Sequence, residues 1–104
     1  MRINFKTSLV YKTMNITERF LNYTKFDTQS NEDSTSVPST EKQLVFANYL
    51  KEELVREGLT DVEMDDKGYV YATLKGNTKK PVPTIGFISH YDTSPDCSGK
   101  DVKA

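Results

Sequence analysis

The 104-residue chain has no tryptophan, one cysteine and one histidine, and each scarcity excludes something. Cys97 on its own can form neither an internal disulfide nor a multi-cysteine zinc site, and it suits a reducing compartment. No apolar run approaches the roughly 20 residues that span a bilayer. The opening residues Met1 to Lys6 have a basic start, but no apolar signal core follows them. The expected location is therefore the cytoplasm. An excess of charge of either sign is also missing: 14 Lys and Arg face 15 Asp and Glu, a formal net charge of -1. Without a basic stripe interleaved with aromatics, nucleic-acid binding has no electrostatic footprint. Core material is thin as well. Apolar residues including tyrosine make up 36% and charged residues 28%, with a mean hydropathy of -0.63. Typical globular chains reach about 45–50% apolar residues with glycine counted. The length allows one domain at most. Its thin core is expected of a segment that packs against further sequence, and is also compatible with a small, weakly stable domain.

What is present is ordered from residue 14 onward. Residues 1–13 show no period and are expected to be a disordered extension. Asn15 and Glu18 have the spacing of a capping box, and Ile16, Phe20 and Leu21, with Tyr23 at the edge, form one helical face up to about Thr24. Residues 27–37 are rich in Ser, Thr, Asp and Asn and read as a surface loop. After Pro38, Thr40 and Gln43 suggest a second capping box. Leu44, Ala47, Leu50 or Lys51, Leu54 and Val55 then mark the inner side of a helix, with Glu52, Glu53, Arg56 and Glu57 outside. Gly58 supplies a left-handed end. Three strands are expected next: Val62–Met64, Tyr69–Leu74 after the turn Asp65–Gly68, and the near-continuous apolar run Thr84–Ser89. The class is α/β, with two helices followed by about three strands.

The chemistry concentrates at the end of that last run. Residues i and i+2 of an extended chain share a face about 6.6 Å apart, so His90 and Asp92 project together beyond Ser89. Strand ends beside loops are where open α/β sheets place their sites. An imidazole there can bind zinc through one nitrogen while a carboxylate takes the other N–H, fixing the tautomer. A lone histidine is more often structural, and the spacing alone does not establish a metal role. Ser94 with His90 and Asp92 could form a triad, but Pro95 follows it and no glycine-flanked elbow surrounds it. Cys97 lacks a visible group to activate its thiol. The sequons at Asn15 and Asn22 fall on a predicted helix in a chain without a secretory signal.

The stretch from Asn15 to Leu21 leading to Phe26–Ser30 resembles the opening of the peptidase T family, bacterial tripeptide aminopeptidases. Val37–Gln43 resembles the start of that family's second helix, and Thr84–Lys100 resembles its first metal-ligand segment. The motifs fall in the family's order across residues 14–104. The resemblance implies a zinc-dependent exopeptidase with an α/β catalytic domain, of which residues 14–104 are the N-terminal part, and an inserted smaller domain. It implies that His90 binds one zinc ion of a dinuclear site, and that Asp92 orients His90 and counts as catalytic. The substrate it implies is a tripeptide.

The family's other parts are a bridging aspartate, a glutamate general base with an adjacent glutamate ligand, a further aspartate and a second histidine. After His90 this sequence offers only Asp92, Asp96 and Asp101 as acids, and no second histidine. The expectation is therefore an incomplete sheet and an incomplete zinc site, inactive alone and completed by a C-terminal portion. The competing expectation is a stand-alone, non-catalytic α/β domain used for binding or assembly.

Overall fold

Asn15 starts the first helix by a reciprocal exchange. Its side-chain oxygen accepts the Glu18 N–H at 2.9 Å, and the Glu18 carboxylate accepts the Asn15 N–H at 3.0 Å. Helix α1 then runs Ile16–Tyr23. The computed structural model describes residues 14–104, so the extension expected for residues 1–13 lies outside the described residues. The apolar face expected of α1 does not become core, because Ile16 and Phe20 are exposed. The helix docks instead by its polar edge, where Asn22 donates to the Tyr49 hydroxyl and Tyr23 donates to Glu53.

Helix α2 spans Lys42–Arg56. The capping box expected from Thr40 and Gln43 is absent: Glu41 stands at the N-cap, and its side chain makes no capping bond. Thr40 Oγ1 donates to the Gln29 carbonyl at 3.0 Å, and the Gln43 amide turns to the Thr28 carbonyl at 3.2 Å. Tertiary partners on residues 28–30 have taken the polar groups that a local cap would use. The other end follows the sequence. Gly58 has φ +84°, its N–H reaches the Val55 carbonyl at 3.0 Å, and the Leu59 N–H reaches Leu54 at 3.1 Å. That is the two-bond pattern of a Schellman terminus.

The inner face of α2 is rotated from the expected stripe. Phe46 and Ala47 are the buried apolar residues among those described, while Leu44, Leu50 and Leu54 are half-buried and Val55 is exposed. Glu53, expected outside, is only 3% exposed. It is tolerated there because it is paired: the Tyr23 and Tyr49 hydroxyls both donate to it, and the Arg19 guanidinium lies 3.8 Å away. Burial and the bond to Glu53 push the Tyr23 hydroxyl well above the ordinary tyrosine range. Around Phe46 the rings of Tyr23 and Phe26 pack at 5.2 and 4.9 Å between centroids.

A hairpin completes the regular structure. Strand β1 (Thr60–Met64) pairs antiparallel with β2 (Val70–Thr73), with Thr60 opposite Thr73 and Met64 opposite Val70. One extra residue bulges from β1, where Asp61 takes φ +52°. The expected Asp65–Gly68 turn forms, with Asp65 Oδ1 accepting the N–H groups of Lys67 and Tyr69 at 3.0 and 2.8 Å. The expected third strand does not form among the described residues. Thr84–Ser89 has no ladder partner, and Phe87 and Ile88 are 94% and 101% exposed. A strand exists only through the hydrogen bonds of a neighbour, and none of the described residues provides one here. The α/β class therefore holds with two helices and a two-stranded antiparallel sheet. No helix among the described residues is long and apolar enough to cross a membrane.

Candidate functional site

The exposed arm returns to the body of the molecule at Tyr91. Thr28 Oγ1 donates to the Tyr91 carbonyl at 2.7 Å, the Thr93 N–H donates to the Thr28 carbonyl at 3.1 Å, and the Ser30 N–H donates to the Thr93 carbonyl at 2.9 Å. Gln29 and Thr93 thus form a parallel bridge. The segment expected to be a surface loop is partly a pairing element, and Thr28 is buried.

Tyr91 anchors the segment from the inside. Its ring meets Phe46 edge-on at 5.7 Å, and its hydroxyl donates to the Gly68 carbonyl at 2.9 Å. Burial pushes this hydroxyl above its ordinary range, and the neighbouring Asp92 charge adds to that. Gly68 has φ +84°, and a Cβ placed on it would stand 2.6 Å from Tyr91 Oη. The hairpin turn therefore requires glycine twice, for its backbone and for the tyrosine it seats.

With Tyr91 turned inward, alternation places His90 and Asp92 on the other side. His90 Nδ1 lies 2.9 Å from Asp92 Oδ1 and 3.0 Å from the Asp92 carbonyl oxygen. Both are acceptors, so Nδ1 carries the proton and the neutral ring has its lone pair on Nε2. The His90 side chain is 85% exposed. Ser30 Oγ donates to the other Asp92 oxygen at 2.7 Å. That bond, opposed by partial burial and assisted by His90, holds the Asp92 carboxyl below its ordinary value.

This donor set suits zinc as one nitrogen ligand with its orienting carboxylate. No group of three or more His, Cys, Asp or Glu side chains converges among the described residues. Among the described residues the arrangement offers a single imidazole nitrogen in position to bind a metal ion.

Two grooves flank the segment, and His90 and Tyr91 line both. One, of about 480 Å³, is walled by Phe20, Phe26 and Phe46; the other, of about 430 Å³, by Ser30, Gln43 and Tyr69. The triad and thiolate alternatives receive no geometric support. Ser94 donates to Asp96 at 3.0 Å, Cys97 is an exposed thiol, and neither hydrogen-bonds to His90 among the described residues. Asn15 is a helix cap and Asn22 is bonded to Tyr49.

Sequence reasoning named His90 and Asp92 as site residues, but gave Ser30, Gln43, Tyr91 and Gly68 no part in the site. The same period of two that paired His90 with Asp92 could have sent Tyr91 inward. Ser30 fell within the family-like stretch Phe26–Ser30, but nothing local marked its side chain for a partner 62 positions away.

No protein-family model matches the chain. Comparison with curated proteins places it among relatives that are peptidases. It is 58% identical over 88 residues to peptidase T of Caldanaerobacter subterraneus subsp. tengcongensis, and equally to that of Clostridium novyi, covering 85% of this chain and 22% of each relative. With peptidase T of Bacillus thuringiensis strain Al Hakam the identity is 59% over 86 residues, or 83% of this chain and 21% of the relative. The chain is a homologue of peptidase T, and its span of about a fifth of those relatives is consistent with an N-terminal segment.

Proposed function

We propose that this chain contributes the His90–Asp92 element of a zinc-dependent tripeptide aminopeptidase, an enzyme of the cytoplasm that releases the N-terminal residue of its substrate. One observation carries the reading. In a chain this similar to peptidase T, the single histidine has its Nδ1 against a carboxylate at 2.9 Å and its Nε2 left as the ligand position. His90 would hold one zinc through Nε2, and Asp92 would fix the ring's tautomer and direction. Zinc, when bound, supplies Lewis-acid activation of the attacking water. The further ligands and the general base belong to the part of the relatives that this chain does not span. The 104 residues alone therefore cleave no tripeptide.

The test is a graft in which residues 14–104 replace the matching segment of Clostridium novyi peptidase T. The graft is expected to release the N-terminal residue from tripeptides and to stop when zinc is chelated. His90→Ala should abolish the reaction, and Asp92→Asn should lower kcat/KM about 10–100-fold. A folded graft that cleaves nothing, or one that His90→Ala leaves intact, overturns the reading.

A further inference from the structure

Ser30 sits in a chain of hydrogen bonds whose directions are fixed by what each partner can do. Its Oγ lies 2.7 Å from Asp92 Oδ2 and 3.2 Å from Gln43 Nε2. Gln43 is only 3% exposed, and its Nε2 also lies 3.2 Å from the Thr28 carbonyl oxygen, a group that only accepts. The amide nitrogen therefore faces Thr28 and Ser30 as a donor, with Ser39 Oγ a third neighbour at 3.4 Å. Ser30 Oγ accepts from Gln43, and its single proton is left for the carboxylate. A carboxylate is planar, so holding Oδ2 sets the direction of Oδ1. That oxygen meets His90 Nδ1 at 2.9 Å.

We infer that Ser30, itself held by the buried Gln43, is a positioning residue that acts through Asp92 to fix His90 in its Nδ1–H form. No bond is made or broken in this role: the hydroxyl transmits direction. It rests on the reading of His90 as a zinc ligand, because Nε2 is a ligand only while the proton stays on Nδ1. The device also explains why a polar segment that reads as surface loop is pinned so closely beside residues 91–93. Thr28 fixes their backbone, and Ser30 fixes the side chain that hydrogen-bonds the imidazole.

The chain's only histidine gives one pair of ring-nitrogen resonances, so ¹⁵N spectra of the full 104-residue chain read its tautomer directly. They are recorded at one fixed pH about two units above the ordinary histidine value of about 6.5. Asp92→Ala and Ser30→Ala should both lower the Nδ1–H share, the latter about twofold. The near-isosteric variants Ser30→Thr and Ser30→Val separate the hydroxyl from packing: threonine should keep the share and valine should lose it. If Asp92→Ala moves the tautomer but threonine and valine give equal shares, Ser30 does not position Asp92, and the reading of His90 stands. If no variant moves it, the Asp92 carboxylate does not set the tautomer, the Asp92 carbonyl at 3.0 Å being the acceptor that remains, and the inference falls. If the unsubstituted chain also lacks an Nδ1–H excess, the His90–Asp92 pairing is absent in solution and the reading beneath falls with it.

Discussion

Residues 28–30 with 91–93 and the arm at residues 84–89 invert what their compositions suggest. The first pair of segments is polar, and much of it looks like loop, yet it is closely hydrogen-bonded. Thr28, Ser30 and Thr93 exchange main-chain and side-chain bonds at 2.7–3.1 Å. The arm carries Ile85, Phe87 and Ile88 and is open to solvent. Polar groups lock a segment when each finds a partner within reach. An apolar run is non-directional, and it stays exposed until another element brings area to cover it. Composition states a demand, and the partner decides whether it is met.

The sharpest way to break this comparison is to remove one apolar side chain from α2 beneath the bonded segments and one from the arm. Phe46→Ala deletes the ring on which Tyr23, Phe26 and Tyr91 pack, and should cost about 3–5 kcal/mol in urea denaturation of the chain. Ile88→Ala, at a fully exposed position, should stay within about 0.5 kcal/mol. Equal losses at the two positions would show that the arm is covered in solution.

A second substitution acts on the bonded region through its support. Gly68→Ala forces a side chain into φ +84° and against Tyr91 Oη, and should cost about 1–3 kcal/mol. Because Tyr91 seats residues 91–93, the Thr93 and Ser30 amides should lose hydrogen-exchange protection while the amides of Ile85 to Ile88 remain unchanged. Protection retained at Thr93 would separate the Tyr91 anchor from the bonded segments.

What the sequence disclosed was what depends on near neighbours. The Asn15–Glu18 box, the Gly58 terminus and the Asp65–Gly68 turn each need only residues a few positions apart, and each is present. The Thr40–Gln43 box has the right spacing, but residues 28–30 compete for both side chains. Glu53 reads as solvent-facing from helical period alone, because its partners Tyr23 and Arg19 sit on another helix. Thr84–Ser89 reads as a strand from apolar content, yet pairing is a property of two segments. At the candidate site the i, i+2 rule brings His90 to Asp92. Ser30 lies in the family-like stretch Phe26–Ser30, but its tie to a carboxylate 62 positions away is not legible in any local pattern.

The smallest expected effect concerns how residues 27–30 are tied to α2. Lys42 Nζ lies 2.9 Å from Asp27 Oδ2, and the Gln29 N–H donates to Oδ1 at 3.1 Å. The ammonium first, and the N–H after it, hold the Asp27 carboxyl below its ordinary value. A carboxyl with a lower pKa folded than unfolded adds stability above the unfolded value, about 3.9, and that contribution is lost as pH falls through the lowered folded value. The urea midpoint should therefore decline on acidification below about pH 4, and Asp27→Asn should flatten that limb without changing the plateau shape above it. Added salt should shrink the difference, because the pair is solvent-accessible and screened. If Asp27→Asn leaves the acid limb as steep as before, Lys42 does not tie this segment to α2. The lock on residues 28–30 would then rest on the neutral bonds of Thr28, Gln43 and Thr93 alone.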